Sequence, residues 1–267
     1  MHITNIISQY FGKFAKKEFP SFIQSVINNG YVKFLGLDMS EFRHAKHYKS
    51  LNDLFTRELA IPREINEDEN VVISPTDSLV SACGKLDKQT LLQIKGMEYN
   101  VEELLTFHVG ENVNRVIDGS FMNFYLSPKD YHRYHAPTSF KITKLIHVPG
   151  KLYPVNFKYL NMELDLFCQN ERVILECFDK NDKLFYMVFV GALNVGQMVF
   201  EFESAVETNS DVSEIKVYEY ENLEITKGDC LGYFKMGSTV VMVWEKDSVE
   251  LLDLTTQKIA FGDKIIK

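Results

Sequence analysis

The spacing of apolar positions divides the chain into two regions of different period. Near the start, Ile3, Ile6, Ile7, Tyr10, Phe11 and Phe14 recur at three and four residues, so they share one helical face. Lys13, Lys16 and Lys17 gather at the end of that stretch, where cations suit the helix dipole. Pro20 can open a second helix that carries Phe22, Ile23, Val26 and Ile27 and is expected to end at Gly30. A third, short helix is expected over residues 51–59, with Ser50 as its cap and Asp53 at the capping-box position.

From about residue 70 the period changes. Residues 71–74, 121–127, 141–148, 171–178, 184–193, 198–204 and 239–245 are rich in β-branched and aromatic side chains and are punctuated by Gly, Pro, Asn or Asp. These are expected to be strands. The pattern predicts an α+β protein: a helical N-terminal region, residues 1–65, on a mostly antiparallel β core, residues 66–267. No Gly/Ser/Pro-rich linker separates the two, so they are expected to form one unit.

Charge sharpens this division. The chain of 267 residues carries a net charge of −8, which argues against a nucleic-acid partner. Residues 1–36, however, hold Lys13, Lys16, Lys17 and Lys33 against Glu18 alone. A basic start on an acidic body suits an anionic surface. No run of 18 apolar residues predicts a membrane span, and the start has no block expected of a secretory leader. Cys83, Cys168, Cys177 and Cys230 have neither C-x-x-C spacing nor a nearby His, which suits isolated thiols in a reducing compartment.

Three segments carry candidate chemistry. In YLSPKDYHRYHAP, residues 125–137, His132 and His135 lie three apart. A helical turn would put them on one side, and a strand would face them oppositely. With no third ligand at a recognisable interval, a metal is disfavoured, leaving proton transfer or two unrelated histidines. In VISPTDSLV, residues 72–80, Asp77 is either a turn former or a carboxylate that orients a histidine. In KGDCLGYFKMGSTVVMVWE, residues 227–245, Gly237 and Ser238 immediately precede an apolar strand.

Taken together these segments resemble the phosphatidylserine decarboxylase family, whose blocks read Y-L-x-P-x-D-Y-H-R-x-H-x-P, S-P-x-D-G and L-G-S-T. FTREL (55–59), IKG (94–96), GKLYPVN (150–156), NERV (170–173) and VGALNVGQM (190–198) extend the resemblance over most of the chain. Three positions depart from the pattern. Met236 stands for Leu, Ser78 for a Gly, and Pro62-Arg63 for an Arg-Pro order.

The resemblance implies a protein that cuts itself between Gly237 and Ser238. Asp77 would orient His135, His135 would take the Ser238 proton, and Ser238 would attack the Gly237 carbonyl. Ser238 would become a pyruvoyl group, giving a β chain of residues 1–237 and an α chain of residues 238–267, with further dimerisation left open. The pyruvoyl group would form an imine with phosphatidylserine, carbon dioxide would leave, and His132 would supply the proton that yields phosphatidylethanolamine. No metal is implied. A lipid substrate gives the first helices a role as a peripheral anchor at the cytoplasmic face of the cell membrane, with Phe11, Lys13, Phe14, Lys16 and Lys17 as contacts. On pattern alone the apolar stripe would face the protein's own core. Two rivals remain at this point: a serine hydrolase acting on an external substrate, although no G-x-S-x-G elbow surrounds Ser238, and a membrane-binding module without catalysis.

Overall fold

The structure is a computed structural model that describes residues 10, 12–87, 91–94, 97–153, 166–192, 197–210, 213–235 and 238–267. Its core is an antiparallel sheet of eight strands in the order β10-β6-β7-β8-β12-β4-β1-β13. These are β1 (Ser78–Lys85), β4 (Ser120–Leu126), β6 (Phe140–Val148), β7 (Arg172–Asp179), β8 (Leu184–Val190), β10 (Lys216–Ile225), β12 (Ser238–Trp244) and β13 (Lys258–Ile259). A three-stranded sheet of β5 (Arg133–His135), β11 (Cys230–Phe234) and β9 (Met198–Phe200) lies beside it, and β2 (Leu91–Ile94) pairs with β3 (Met97–Asn100). The expected α+β class with an antiparallel core is observed.

Both faces of the large sheet are covered. Val241 and Val243 of β12 pack with Val101, Leu104 and Leu105, whereas Val240, Met242 and Trp244 pack with Tyr134, Phe234 and Phe200 of the small sheet. All seven residues of β12 are buried, which explains an unbroken apolar run where a one-sided strand would alternate. The expected strand at residues 71–74 is reduced to a single bridge, Ile73 to Lys264. Its N–H groups go to loop carbonyls instead: Ile73 donates to Pro137 and Ser74 to Asp263.

Helix α1 (Ser21–Leu35) runs through Gly30 and ends at Gly36, which takes the left-handed conformation with φ 63°. A mid-helix glycine costs only about 1 kcal/mol, and beyond it Tyr31 and Val32 gain packing against Ala15, Leu51 and Leu54. Helix α2 (Leu51–Phe55) has the expected cap, with the Asp53 N–H donating to Ser50 Oγ at 3.0 Å. It is shorter than expected because the chain turns at Thr56, and Arg57 reaches to the carbonyls of Lys129 and Asp130.

Helix α1 buries polar side chains beside apolar ones and leaves other apolar ones exposed. Gln24 and Asn28 are buried, and Asn28 Nδ2 donates to the carbonyls of Ala45 and Tyr48. Phe22, Val26 and Phe34 are 80%, 61% and 87% exposed. Of the apolar stripe expected on pattern alone to face the core, Ile27 packs inward, whereas Phe22, Ile23 and Val26 face outward. Among the described residues no helix is long and apolar enough to cross a membrane.

Candidate functional site

Strand register brings the three chemical segments to one end of the sheet. Leu79, Tyr125, Thr239 and Val190 form one cross-strand row, and Ser238 sits opposite Leu126. The turn before β1 that carries Asp77, the 127–135 segment that follows β4, and the first residue of β12 therefore emerge together. The small sheet tightens this arrangement: β5 pairs with β11, and the Phe234 N–H donates to the His132 carbonyl at 3.0 Å. The backbone of His132 thus rests on the strand that leads into Ser238.

Ser238 is fully buried, and its Oγ has no hydrogen-bond partner among the described residues. A buried hydroxyl without a partner loses its bonds to water uncompensated, so its presence at a strand start points to chemistry rather than packing. Gly237 lies outside the described residues. Just before it, the Lys235 ammonium donates to Gln197 Oε1 at 2.8 Å, and burial, helped by Lys16, pushes it down to about 8. Lys16 donates to the same oxygen at 3.2 Å, which sets the N-terminal region beside this segment.

The two histidines have different surroundings: His135 ends β5, whereas His132 precedes it. His132 donates from Nδ1 to the Asp130 carbonyl at 2.7 Å, and its ring lies 4.0 Å from that of Phe55. A carbonyl only accepts, so Nδ1 carries the proton and Nε2 the lone pair. That Nε2 is buried with no partner among the described residues. Burial, with the Arg57 guanidinium second, pushes His132 down to about 3. It is neutral near pH 7, with a bare accepting atom.

His135 donates from Nδ1 to the Gly228 carbonyl at 3.0 Å, and its Nε2 meets the Tyr131 hydroxyl at 3.0 Å. Its ring stacks on Phe261 at 3.8 Å and 13°. Burial pushes it down to about 4, against the pull of the Gly228 carbonyl.

The expected contact between Asp77 and His135 is not a hydrogen bond among the described residues. Arg63 takes the Asp77 carboxylate with both terminal nitrogens, at 2.5 and 2.9 Å, and the Phe261 N–H donates to Asp77 Oδ1 at 2.8 Å. The physical reason is stoichiometric: both imidazole nitrogens of His135 already have partners. Asp77 instead reaches His135 through Phe261, whose backbone it holds and whose ring covers the imidazole. Arg63, in the stretch that departs from the family order, also binds Glu41. Ser78 begins β1 without a positive φ, so replacing Gly there leaves no strain.

Of the anchor residues, Phe11 lies outside the described residues. Phe14 is 47% exposed, while Lys13 lies over the Tyr10 ring and Lys17 over the Phe19 ring. Tyr131 and Phe261 were not singled out from the sequence, and Arg63 stood out only as a departure from the family order. Tyr131 stood inside the histidine block; nothing local marked Phe261.

The family model for phosphatidylserine decarboxylase matches residues 51–267. A phosphatidylserine decarboxylase proenzyme of Helicobacter pylori (strain Shi470) is 44% identical over 265 residues, covering 98% of this chain and 97% of its own. One from Campylobacter jejuni is 43% identical over 265 residues, 97% of each chain. One from Coxiella burnetii (strain RSA 331) is 31% identical over 250 residues, 91% of this chain and 86% of its own.

Proposed function

The chain belongs to the phosphatidylserine decarboxylase family, and we propose that it decarboxylates phosphatidylserine with a pyruvoyl group made from Ser238 by cutting its own Gly237–Ser238 bond. The observation that carries this reading is the buried, unpartnered Ser238 hydroxyl at the start of a central strand, at the end of the sheet where the segment carrying the two histidines also emerges.

In the cutting stage Ser238 Oγ attacks the Gly237 carbonyl and His135 receives the proton, the division of labour of a Ser–His pair turned on its own chain. The ester then opens by β-elimination, which releases the Gly237 carboxylate and leaves dehydroalanine at position 238; its imine tautomer takes up water and loses ammonia, which leaves the blocked pyruvoyl residue. Asp77 serves this stage by fixing Phe261 against His135.

The surroundings fit a pyruvoyl group at position 238. Ser127 Oγ, next to the cross-strand partner of Ser238, and His132 Nε2 are buried without partners among the described residues, so hydrogen-bonding capacity remains for a carbonyl and a polar substrate. The group would supply an electron sink next to the carboxylate that leaves. His132 supplies proton transfer. Its neutral Nε2 first accepts the proton that the substrate ammonium sheds, and then returns it to the carbon that has lost carbon dioxide.

The outward apolar face of α1 supports a lipid surface as partner. Phe22, Val26 and Phe34 would sit in the interface, and Lys13, Lys16 and Lys17 would contribute roughly 1 kcal/mol each near anionic lipid. On this reading the protein is peripheral, at the cytoplasmic face of the cell membrane.

A denaturing mass spectrum of the purified chain tests the reading. Two fragments are expected, the smaller spanning residues 238–267 with a blocked N-terminus. Ser238→Ala should give one intact chain, because alanine offers neither the attacking hydroxyl nor the leaving group. A fragment ending at Gly237 in that variant would remove the assignment.

A further inference from the structure

The self-cleavage proposed above needs a base, and the accepting nitrogen of His135 is engaged by a residue to which that reading assigns nothing. With Nδ1–H committed to the Gly228 carbonyl, Nε2 is the lone-pair atom of the neutral ring, and the Tyr131 hydroxyl donates to it at 3.0 Å. We propose that Tyr131 is a positioning residue of self-cleavage, holding His135 with Nε2 as its accepting atom and conducting the Ser238 proton to it. This rests on the cutting reaction proposed above.

The geometry around Tyr131 leaves its hydroxyl little choice. The residue is buried in a cluster with Ile73 and Phe261. Its ring lies 5.7 Å from that of His135 and 5.8 Å from that of Phe42, and the Arg63 guanidinium lies 5.8 Å from its centroid. Among the described residues its hydroxyl has no other hydrogen-bond partner. The charged and titratable groups around the pair are Arg63 and Asp77 on the chain before β1, Arg133 on β5 and Cys230 on β11. None of them hydrogen-bonds either ring among the described residues.

The proton balance closes. For the attack the Ser238 hydroxyl, at rest without a partner among the described residues, must turn onto the Tyr131 oxygen. As Ser238 Oγ bonds to the Gly237 carbonyl carbon, its proton then passes to the Tyr131 oxygen and the Tyr131 proton passes to His135 Nε2. When the Gly237–Ser238 carbon–nitrogen bond breaks, the proton returns by the same path to the departing amine. Tyr131 is neutral before and after, which suits a phenol whose pKa burial drives upward.

The test follows splitting of freshly synthesised full-length chain on denaturing gels across pH, for wild type, Tyr131→Phe, 3-fluorotyrosine at position 131, and His135→Ala. Tyr131→Phe keeps the ring packing and removes the donor; its splitting should be slower by ~10²-fold. A hydrogen bond donated to Nε2 favours the neutral imidazole, so its loss should move the acid limb of the rate profile to higher pH. 3-Fluorotyrosine, nearly the same size and a stronger donor, should move that limb to lower pH, and it decides the matter should the Phe variant not fold. A purely structural role would leave the limb in place. Wild-type rates in Tyr131→Phe, or an acid limb unmoved by the substitutions, would overturn the inference. Splitting by His135→Ala would remove the cutting reading itself and this inference with it. An uncut His135→Ala chain beside a normal Tyr131→Phe chain would remove only the inference.

Discussion

Phe261 stacks on His135 with ring centroids 3.8 Å apart, although the two residues fall on opposite sides of the proposed cut. The Phe261 backbone meanwhile binds Asp77 through its N–H and Arg63 through its carbonyl. Residues 238–267 thus carry part of the site that would create the small chain, and these contacts and all of β12 would keep it clamped to the large chain after the proposed cut.

This arrangement predicts how Asp77 and Arg63 should behave together. The Asp77 and Arg63 side chains are only 21% and 15% exposed, so breaking the pair should cost about 1–3 kcal/mol. Asp77→Asn and Arg63→Met should each lower the melting temperature, and the double variant should lose less than the sum of the two. Asp77→Asn should also accumulate uncut chain, since Phe261 loses its anchor. Thermal melts and denaturing gels on the three variants check this; strict additivity with full cutting would show that the carboxylate is a bystander.

Much of the β core was legible because apolar runs report burial directly. The run at residues 239–245 became β12 with a one-residue offset, since both faces of that strand are covered. Strand β10 went unread, although Tyr218, Tyr220, Leu223 and Ile225 are its half-buried side. Glu219, Glu221 and Glu224 masked the alternation, and a register shift between Glu219 and Leu223 interrupts it. The direction in which α1 faces was not legible either. Periodicity defines a stripe but not what covers it; here the buried Asn28, which donates to the carbonyls of Ala45 and Tyr48, turns a polar side of the helix inward. Ser238 and the histidines stood out through their motifs. The ties of Asp77 to Arg63 and of His135 to Tyr131 and Phe261 exist only after folding.

The exposed face of α1 yields a prediction about the membrane. Phe22→Ser, Val26→Ser and Phe34→Ser together should abolish binding to vesicles containing anionic lipid at any salt, because burial of apolar area would be lost. Their exposure means that stability should change by less than about 0.5 kcal/mol per site. Charge reversal of Lys13, Lys16 and Lys17 should weaken binding mainly at low salt. Vesicle sedimentation beside thermal melts distinguishes the cases; unchanged sedimentation in both variants would exclude this face as the anchor.

The buried histidines also predict a pH dependence of stability. Both have folded pKa values, about 3 for His132 and about 4 for His135, below the ordinary value of about 6.5. Below that ordinary value the unfolded chain takes up protons that the fold refuses, so stability falls as pH falls. Each histidine contributes a slope of up to about 1.4 kcal/mol per pH unit, until its folded pKa is reached. Urea melts between pH 7.5 and 5 should show this decline, and His135→Asn should reduce its slope by about one histidine's share. An unchanged slope would mean that His135 already carries its proton in the fold.

The last prediction separates the two histidines by stage. His132→Ala should still split into two chains with a blocked residue at position 238, yet release carbon dioxide from phosphatidylserine ~10²–10⁴-fold more slowly, the usual contribution of a general acid–base group. Cutting should survive because the structural link between His132 and the strand before Ser238 is made by its backbone carbonyl, which accepts from the Phe234 N–H whatever the side chain. Turnover should suffer because Nε2 is the bare accepting atom of the site, held in that tautomer by the Asp130 carbonyl. Removing the ring also removes packing against Phe55, so His132→Asn serves as a smaller perturbation that still lacks the imidazole. Mass spectrometry of the small chain reports whether the group at position 238 was made, and carbon dioxide release reports whether it is used. Full activity in both variants would refute the role of His132. An uncut chain in both would mean that this imidazole serves the cutting step and that the two histidines have been given each other's stages.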